Sequence, residues 1–381
     1  MDIDKIRIID YYIGIPIIQF LRLFKIKKKE LKNKPKKILL IKFFGIGNLV
    51  MSSPVFYHIK NKYPNAEIHY LTLKNNEDVL KCYKKYVDKI KYIDIKDNII
   101  LATLKLINDL RKENYDVIID LDQFSRYSAI ISFLINKNFS IGFKTRGAYR
   151  HYLYDHIIEY MGNKHIVEEF LDLLEPLGIK PNKNIKLIPL ETDNTSKKKV
   201  DEFLTKHGFI DKKIIGIHTG TSENAPQRKW PYFKELIEKI LLETDCYIVL
   251  TAGPKEYSEC DNLINSLNVD EKYKERIIVS KGISLKELPE LIKRFVLYIS
   301  NDTGPLHIAA AQGVFVIGLY GPNTPKLYGP YTKNCYVFYK NLPCSPCITN
   351  FNNKKTTCKN PICMKKISVD EVFNKILEYL K

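Results

Sequence analysis

The sequence predicts an α/β protein made of two successive domains, each a parallel sheet with crossover helices. Three observations carry this. Short apolar strands alternate with helical segments, and the alternation stops and restarts once along the chain. Runs such as Ile38-Leu39-Leu40-Ile41 are continuously apolar, which fits strands covered on both faces. At 381 residues and 45% hydrophobic, the chain is long enough to bury two cores.

In the first half the expected strands are Ile38–Lys42, Ile68–Leu73, Ile90–Ile93 and Val117–Leu121, with a short one near Ile141. Helices are expected over about Leu49–Tyr63, Ile99–Glu113, Arg126–Ile135 and Val167–Leu177. Residues 181–197 are polar and irregular and read as the linker, with a helix over about Thr195–His207 opening the second half. Strands Ile214–His218, Cys246–Thr251, Ile277–Ser280, Leu297–Ser300 and Val314–Leu319 follow. Helices are expected at Tyr232–Glu243, Tyr257–Leu267, Leu285–Phe295 and Leu306–Gln312. Ser284 with Glu287, and Ser368 with Glu371, have the S-x-x-E spacing of a capping box, and the second pair starts a last helix ending near Leu380. The expected domains are an amphipathic basic extension over 1–36, a first Rossmann-like domain over 37–185 and a second over 186–381. No sequence repeat links the halves.

Lys and Arg number 61 against 43 Asp and Glu, a net charge of +18, which favours anionic partners. No aromatic-basic ladder or zinc-finger helix points to nucleic acid. The apolar run from Tyr11 to Phe24 has its basic cluster after it rather than before it, unlike a secretory signal. It is too short to span a bilayer and contains Gln19 and Arg22. A cytoplasmic protein is expected. The extension can lie in a membrane interface with its lysines near anionic headgroups, or pack on the domain's own surface; Gly14 and Pro16 argue against one uninterrupted helix.

The densest motif lies late in the chain. Leu297 to Ser300 reads as a strand, Asn301-Asp302-Thr303-Gly304-Pro305 as a sharp turn, and Leu306-His307-Ile308-Ala309-Ala310-Ala311 as a helix. Pro305 suits the first helical turn, and Gly304 lets backbone approach a ligand closely. The first N–H groups of that helix are then free for an anion such as a diphosphate. Thr303 adds a hydroxyl, and His307 lies one turn in.

This motif, followed by Gly318-Leu319-Tyr320-Gly321-Pro322, resembles the signature of the heptosyltransferases, glycosyltransferase family 9. The resemblance extends over nearly the whole chain from Lys37 onward. It implies a GT-B fold, two Rossmann-like domains facing each other across a cleft. It also implies a transferase that moves a sugar, heptose or a related one, with inversion. The donor would be a nucleotide diphosphate sugar, and the acceptor a bacterial lipopolysaccharide or other saccharide or lipid-linked glycan. No cofactor is required for catalysis on this reading, and the lipid-linked acceptors of similar enzymes favour peripheral contact of the extension with the inner membrane.

On that resemblance Asp302, Thr303, Gly304 and His307 bind the donor, together with His218, Thr219 and Gly220 at another strand end and Glu256 near a ribose hydroxyl. Arg228 or Lys229, beside Trp230-Pro231, would neutralise the departing nucleotide. Trp230 reads as core rather than a nucleobase platform.

In the first domain, Phe44-Gly45-Ile46-Gly47-Asn48 forms a tight strand-to-helix turn but not a full dinucleotide fingerprint, because Val50 stands where its third glycine would be. The family commonly carries Asp where this chain has Asn48, and Asn cannot take a proton. Asp120-Leu121-Asp122 at a strand end offers Asp122 as an alternative catalytic carboxylate, and both face one way only if the strand runs through them. Arg126, Lys144, Arg146 and Arg150 are expected on the acceptor side.

Cys344 and Cys347 form a C-x2-C pair, with Cys358 and Cys363 further on. Four such cysteines can hold a structural zinc or remain thiols. A non-catalytic sugar-nucleotide or glycan binder, which would explain Asn48, and a nucleotide-sugar epimerase are the alternative functions.

Overall fold

The computed structural model describes residues 3–25, 29–94, 98–181, 184–222, 225–352 and 356–381. The chain divides into two compact units, Met1–Ile188 and Pro189–Lys381.

The first unit holds strands β1 (Lys37–Ile41), β2 (Glu67–Leu73), β3 (Lys89–Ile93), β4 (Tyr115–Asp120), β5 (Lys137–Lys144) and β6 (His156–Glu159). Its helices are α1 (Ile3–Tyr12), α2 (Gly14–Arg22), α3 (Ile46–Met51), α4 (Ser53–Lys62), α5 (Glu77–Lys81), α6 (Ile99–Arg111), α7 (Arg126–Leu134) and α8 (Ile166–Asp172). The second unit holds β7 (Ile214–His218), β8 (Tyr247–Leu250), β9 (Ile277–Val279), β10 (Phe295–Asn301), β11 (Phe315–Tyr320) and β12 (Cys335–Tyr339). Its helices are α9 (Asn194–Lys206), α10 (Phe233–Glu243), α11 (Tyr257–Asn265), α12 (Glu271–Lys274), α13 (Leu288–Ile292), α14 (Gly304–Ala311), α15 (Pro325–Tyr328), α16 (Ile362–Lys365) and α17 (Val369–Leu380).

All described strand pairs are parallel, in the orders β3-β2-β1-β4-β5-β6 and β12-β11-β10-β7-β8-β9. Counted from the first strand of each unit, both orders are 3-2-1-4-5-6, the doubly wound order of dinucleotide-binding folds. The central strands are wholly buried, as their continuous apolar runs require: Ile38 to Ile41 and Ile215 to Ile217 have no exposed surface on any hydrophobic side chain. α17 carries the full Ser368–Glu371 capping box.

Four differences from the sequence reading have local causes. The sequence reading leaves out the edge strands β6 and β12, whose side chains are half-exposed; β6 is short and polar at both ends, whereas β12 is a continuous Cys-Tyr-Val-Phe-Tyr run. The helix expected over Leu49–Tyr63 breaks at Ser52 into α3 and α4, with Pro54 in the first turn of α4. The helix expected over Leu285–Phe295 shrinks to α13, because Phe295 opens β10. In the extension, α1 and α2 are separated by Ile13 alone, whose backbone stays helical (φ −95°, ψ −40°), so Gly14 and Pro16 interrupt the helix only slightly, and both halves pack on α7. Among the described residues no helix is long and apolar enough to cross a membrane.

Candidate functional site

In a doubly wound sheet, ligands bind outside the strand C-termini where the strand order reverses. In the second unit that point lies between β7 and β10, which pair directly. The Thr219-Gly220 loop leaves one strand and Asp302-Thr303 leaves the other.

Asn301, with no exposed surface, ties these loops together. Its Oδ1 accepts from the Trp230 N–H at 2.9 Å, and its Nδ2 donates to the carbonyls of Thr219 (3.2 Å) and Gly220 (3.1 Å). Asp302 turns away from solvent. Its Oδ2 accepts from Asn323 Nδ2 at 2.7 Å and lies 3.2 Å from Arg228 Nη1, which also reaches the Asp302 carbonyl at 3.4 Å. A charge-assisted contact of this kind fixes the guanidinium beside the start of α14. Thr303 is the N-cap of α14 but makes no side-chain cap bond; its hydroxyl pairs with Ser300 at 2.8 Å instead. The first-turn N–H groups of α14 therefore keep their anion-binding potential.

His307 is 3% exposed and its Nδ1 has no protein partner. Burial pushes its pKa down to about 4, only partly offset by Asp302, so the ring is neutral at pH 7. His218 Nδ1 lies 2.8 Å from the Thr251 carbonyl. A carbonyl only accepts, so Nδ1 donates this bond. Glu256 accepts from the Gly253 N–H at 2.7 Å. A Cβ on Gly220 would stand 1.9 Å from Glu256 Oε1, so only glycine lets the carboxylate lie over this loop.

The first unit's equivalent point lies between β1 and β4. Gly45 takes φ +90° to make the turn into α3, where Asn48 is half-buried and donates to the Phe44 carbonyl at 3.3 Å. Lys42 and Asp122 are both buried and meet at 2.5 Å, and Asp122 Oδ2 accepts from the Phe43 N–H at 2.9 Å. Both Asp122 oxygens are thus committed. Asp120 faces elsewhere: β4 ends at this residue, and its Oδ2 meets Arg150 Nη2 at 2.6 Å and the Tyr154 hydroxyl at 2.5 Å.

Residues 103–357 match the model of "Glycosyltransferase family 9 (heptosyltransferase)". The chain belongs to glycosyltransferase family 9. Lipopolysaccharide heptosyltransferase 1 of Campylobacter coli is 26% identical over 350 residues, covering 90% of this chain and 98% of that one. The crystal structure of a family 9 glycosyltransferase from Veillonella parvula superposes with TM-score 0.75 at 21% identity, covering 93% of this chain and 99% of that one. The Escherichia coli ADP-heptose lps heptosyltransferase II gives 0.72 at 20%, covering 90% and 98%. These structures share the GT-B fold that the resemblance implies.

Within this glycosyltransferase the expected site residues separate by position. Asp302, Thr303, Gly304, His307 and Arg228 come together at the β7–β10 point, as do His218, Thr219, Gly220 and Glu256. Lys229 instead pairs with Glu259 of α11. Trp230 has no exposed surface and donates to the Ile367 carbonyl at 2.9 Å, a core position.

The expected row of acceptor-side cations is corrected for two members. Arg126 is buried against Asp10, and Arg150 has no exposed surface against Asp120, because each is claimed by a carboxylate distant in sequence. Lys144 pairs with Glu159 at 3.0 Å, and Arg146 is exposed.

For Cys344, Cys347, Cys358 and Cys363 the sequence leaves a structural zinc or thiols open, and the four are not brought together as a ligand set. Among the described residues no group of three His, Cys, Asp or Glu is placed to hold a metal. Cys363 is buried, and that burial, with Cys344 and Cys347 adding to it, raises its thiol pKa. All four are free thiols.

Sequence reasoning missed Asn301, Lys42 and Asn323. The signal for Asn301 was a polar side chain at the end of a fully apolar strand, followed directly by Asp302.

Proposed function

We propose that this family 9 enzyme moves a heptose or closely related sugar from an ADP-linked donor to a hydroxyl of a lipopolysaccharide or similar lipid-borne glycan, with inversion. One observation carries the reading: the uncapped N-terminus of α14 beside Arg228, whose guanidinium Asp302 holds in place. The donor and acceptor classes follow the names of the relatives above.

In the proposed step the acceptor oxygen bonds to the anomeric carbon while the bond to the diphosphate breaks. The acceptor hydroxyl passes its proton to solvent water as its oxygen bonds, and the nucleoside diphosphate leaves with the electron pair. Negative charge grows on the leaving oxygen. The first-turn N–H groups of α14, the Thr303 hydroxyl and Arg228 meet that charge. His307, neutral through burial, contributes hydrogen bonding rather than charge. Glu256, braced by the Gly253 N–H, is suited to accept from ribose hydroxyls, with His218 Nε2 beside it at 3.9 Å. No cofactor enters this step.

The first unit takes the acceptor side, near Asn48. Its amide orients the hydroxyl and takes no proton. Asp122, with both oxygens engaged, braces Lys42 and the turn that presents Asn48 rather than acting as a base. That same pair of facts favours a second reading, a non-catalytic donor binder.

Calorimetric titration with ADP, UDP and GDP, with and without chelator, tests the donor site, alongside a Thr303→Ala, His307→Ala variant. Metal-independent ADP binding that the variant loses is expected. Incubation with ADP-heptose and a lipid-linked core acceptor should then release ADP and form the inverted product, read by NMR. Donor binding without turnover would leave the binder reading. No nucleotide binding would overturn both.

A further inference from the structure

The N-terminal helical segment α1–α2 is a docked part of the first unit, not a loose tail. Asp10 of α1 accepts from the backbone N–H groups of Arg126 (2.9 Å) and Tyr127 (2.8 Å), capping α7, and meets the Arg126 guanidinium at 3.2 Å. Gly14 lies against Arg126 so closely that a Cβ would stand 2.8 Å from the arginine Cβ. Ile18 has no exposed surface and packs with Ala129, Leu153 and Tyr154. Arg22 stacks on Tyr152 at 4.0 Å, and Lys25 pairs with Asp155 at 2.6 Å.

The opposite side of this anchored segment is apolar and bare. Tyr12 (71%), Ile13 (54%), Ile17 (38%), Phe20 (60%), Leu23 (76%) and Phe24 (60%) are exposed. Successive members are one to four residues apart, so they form a stripe along the helical segment. A soluble surface rarely keeps such a patch without a partner.

We propose that this stripe docks the enzyme on an anionic phospholipid surface. Charge chooses the occupant. Leaving out Arg22, Lys25 and Lys37, which are held by the first unit, residues 26–36 of the sequence carry six Lys and one acid, Glu30. Anionic headgroups complement that excess. A second copy meeting the same face would bring two such clusters together and be repelled. The apolar stripe enters the acyl boundary while the cations remain at headgroup level. Because Asp10 caps the helix that follows the Asp120–Asp122 strand end, docking places the first unit's strand C-termini beside the lipid that carries the acceptor. That last clause rests on the proposed function; membrane binding itself does not.

Flotation with vesicles tests this without donor or acceptor, so failure of the transfer reading leaves it intact. The full chain is mixed with phosphatidylethanolamine vesicles containing phosphatidylglycerol, or with phosphatidylcholine vesicles. Binding to the anionic vesicles should exceed that to phosphatidylcholine by roughly tenfold or more. Phe20→Ser, Leu23→Ser, Phe24→Ser should lower it by roughly tenfold or more with an unchanged melting curve, since these side chains pack on little. Lys32→Gln, Lys34→Gln, Lys36→Gln, all at exposed positions, should remove the anionic preference and leave the fold untouched. Equal flotation of the serine variant and the parent, or no flotation of the parent, would overturn the proposal. A parent that is dimeric by light scattering and ignores lipid, with a monomeric serine variant, would overturn it in favour of self-association.

Discussion

His307 gives a pH prediction that the structure makes quantitative. Its imidazole is buried, Nδ1 has no protein partner, and burial holds the pKa at about 4, against 6.5 for an exposed histidine. A base with a depressed folded pKa is protonated more readily in the unfolded chain. Stability is therefore complete above pH 6.5 and is lost as pH falls from there to 4. At about 1.36 kcal/mol per pH unit, the full loss is about 3 kcal/mol, and about 2 kcal/mol is gone by pH 5. His307→Leu removes both the titration and the unpartnered nitrogen. Any packing cost of leucine applies equally at all pH values, so the variant's unfolding free energy should depend less on pH by this amount. The assay is urea unfolding at pH 7, 6 and 5, followed by tryptophan fluorescence. Trp230 is the only tryptophan and is buried in the core of the unit that holds His307, so the signal reports that unit alone. Parallel pH curves for parent and variant would refute the reasoning, and would mean that His307 reaches solvent or a counter-charge.

Three further outcomes follow from the same geometry. Arg228→Ala removes the cation beside α14 and should lower kcat by roughly 10²–10³, about 3–4 kcal/mol; Lys229→Ala, which breaks only a surface pair, should change kcat less than about threefold. Asn48→Asp places a carboxylate where the acceptor hydroxyl is proposed to sit, so kcat should rise by roughly 10² once pH exceeds the new group's pKa, and a flat response would move the acceptor elsewhere. Lys42→Ala leaves the buried Asp122 carboxylate without its cation and should destabilise the first unit by about 3–5 kcal/mol in denaturant unfolding, whereas Lys42→Met with Asp122→Leu should cost far less.

Much of this protein is decided at the level of sequence. Apolar-rich segments mark ten of the strands, most plainly the fully buried Ile38–Ile41 and Leu297–Ile299, and the βα rhythm then dictates two parallel sheets. The Asn301–Ala311 motif is legible for a similar reason: a strand end, a glycine and a proline-started helix can be read locally. Tertiary structure decides what depends on partners distant in the chain. Edge strand β6, only four residues with His and Glu at its ends, is defined by its pairing with β5 rather than by its own pattern. Arg228 and Lys229 are adjacent and equally cationic, and only the fold brings one to Asp302 and the other to Glu259. Arg126 and Arg150 read as surface cations until Asp10 and Asp120 arrive from 116 and 30 residues away. The N-terminal helical segment is apolar on both faces in sequence, and only docking through Asp10, Gly14 and Ile18 decides which face remains in solvent. Local pattern specifies a backbone state, whereas charge pairing and burial are set by distances that exist only once the chain has folded.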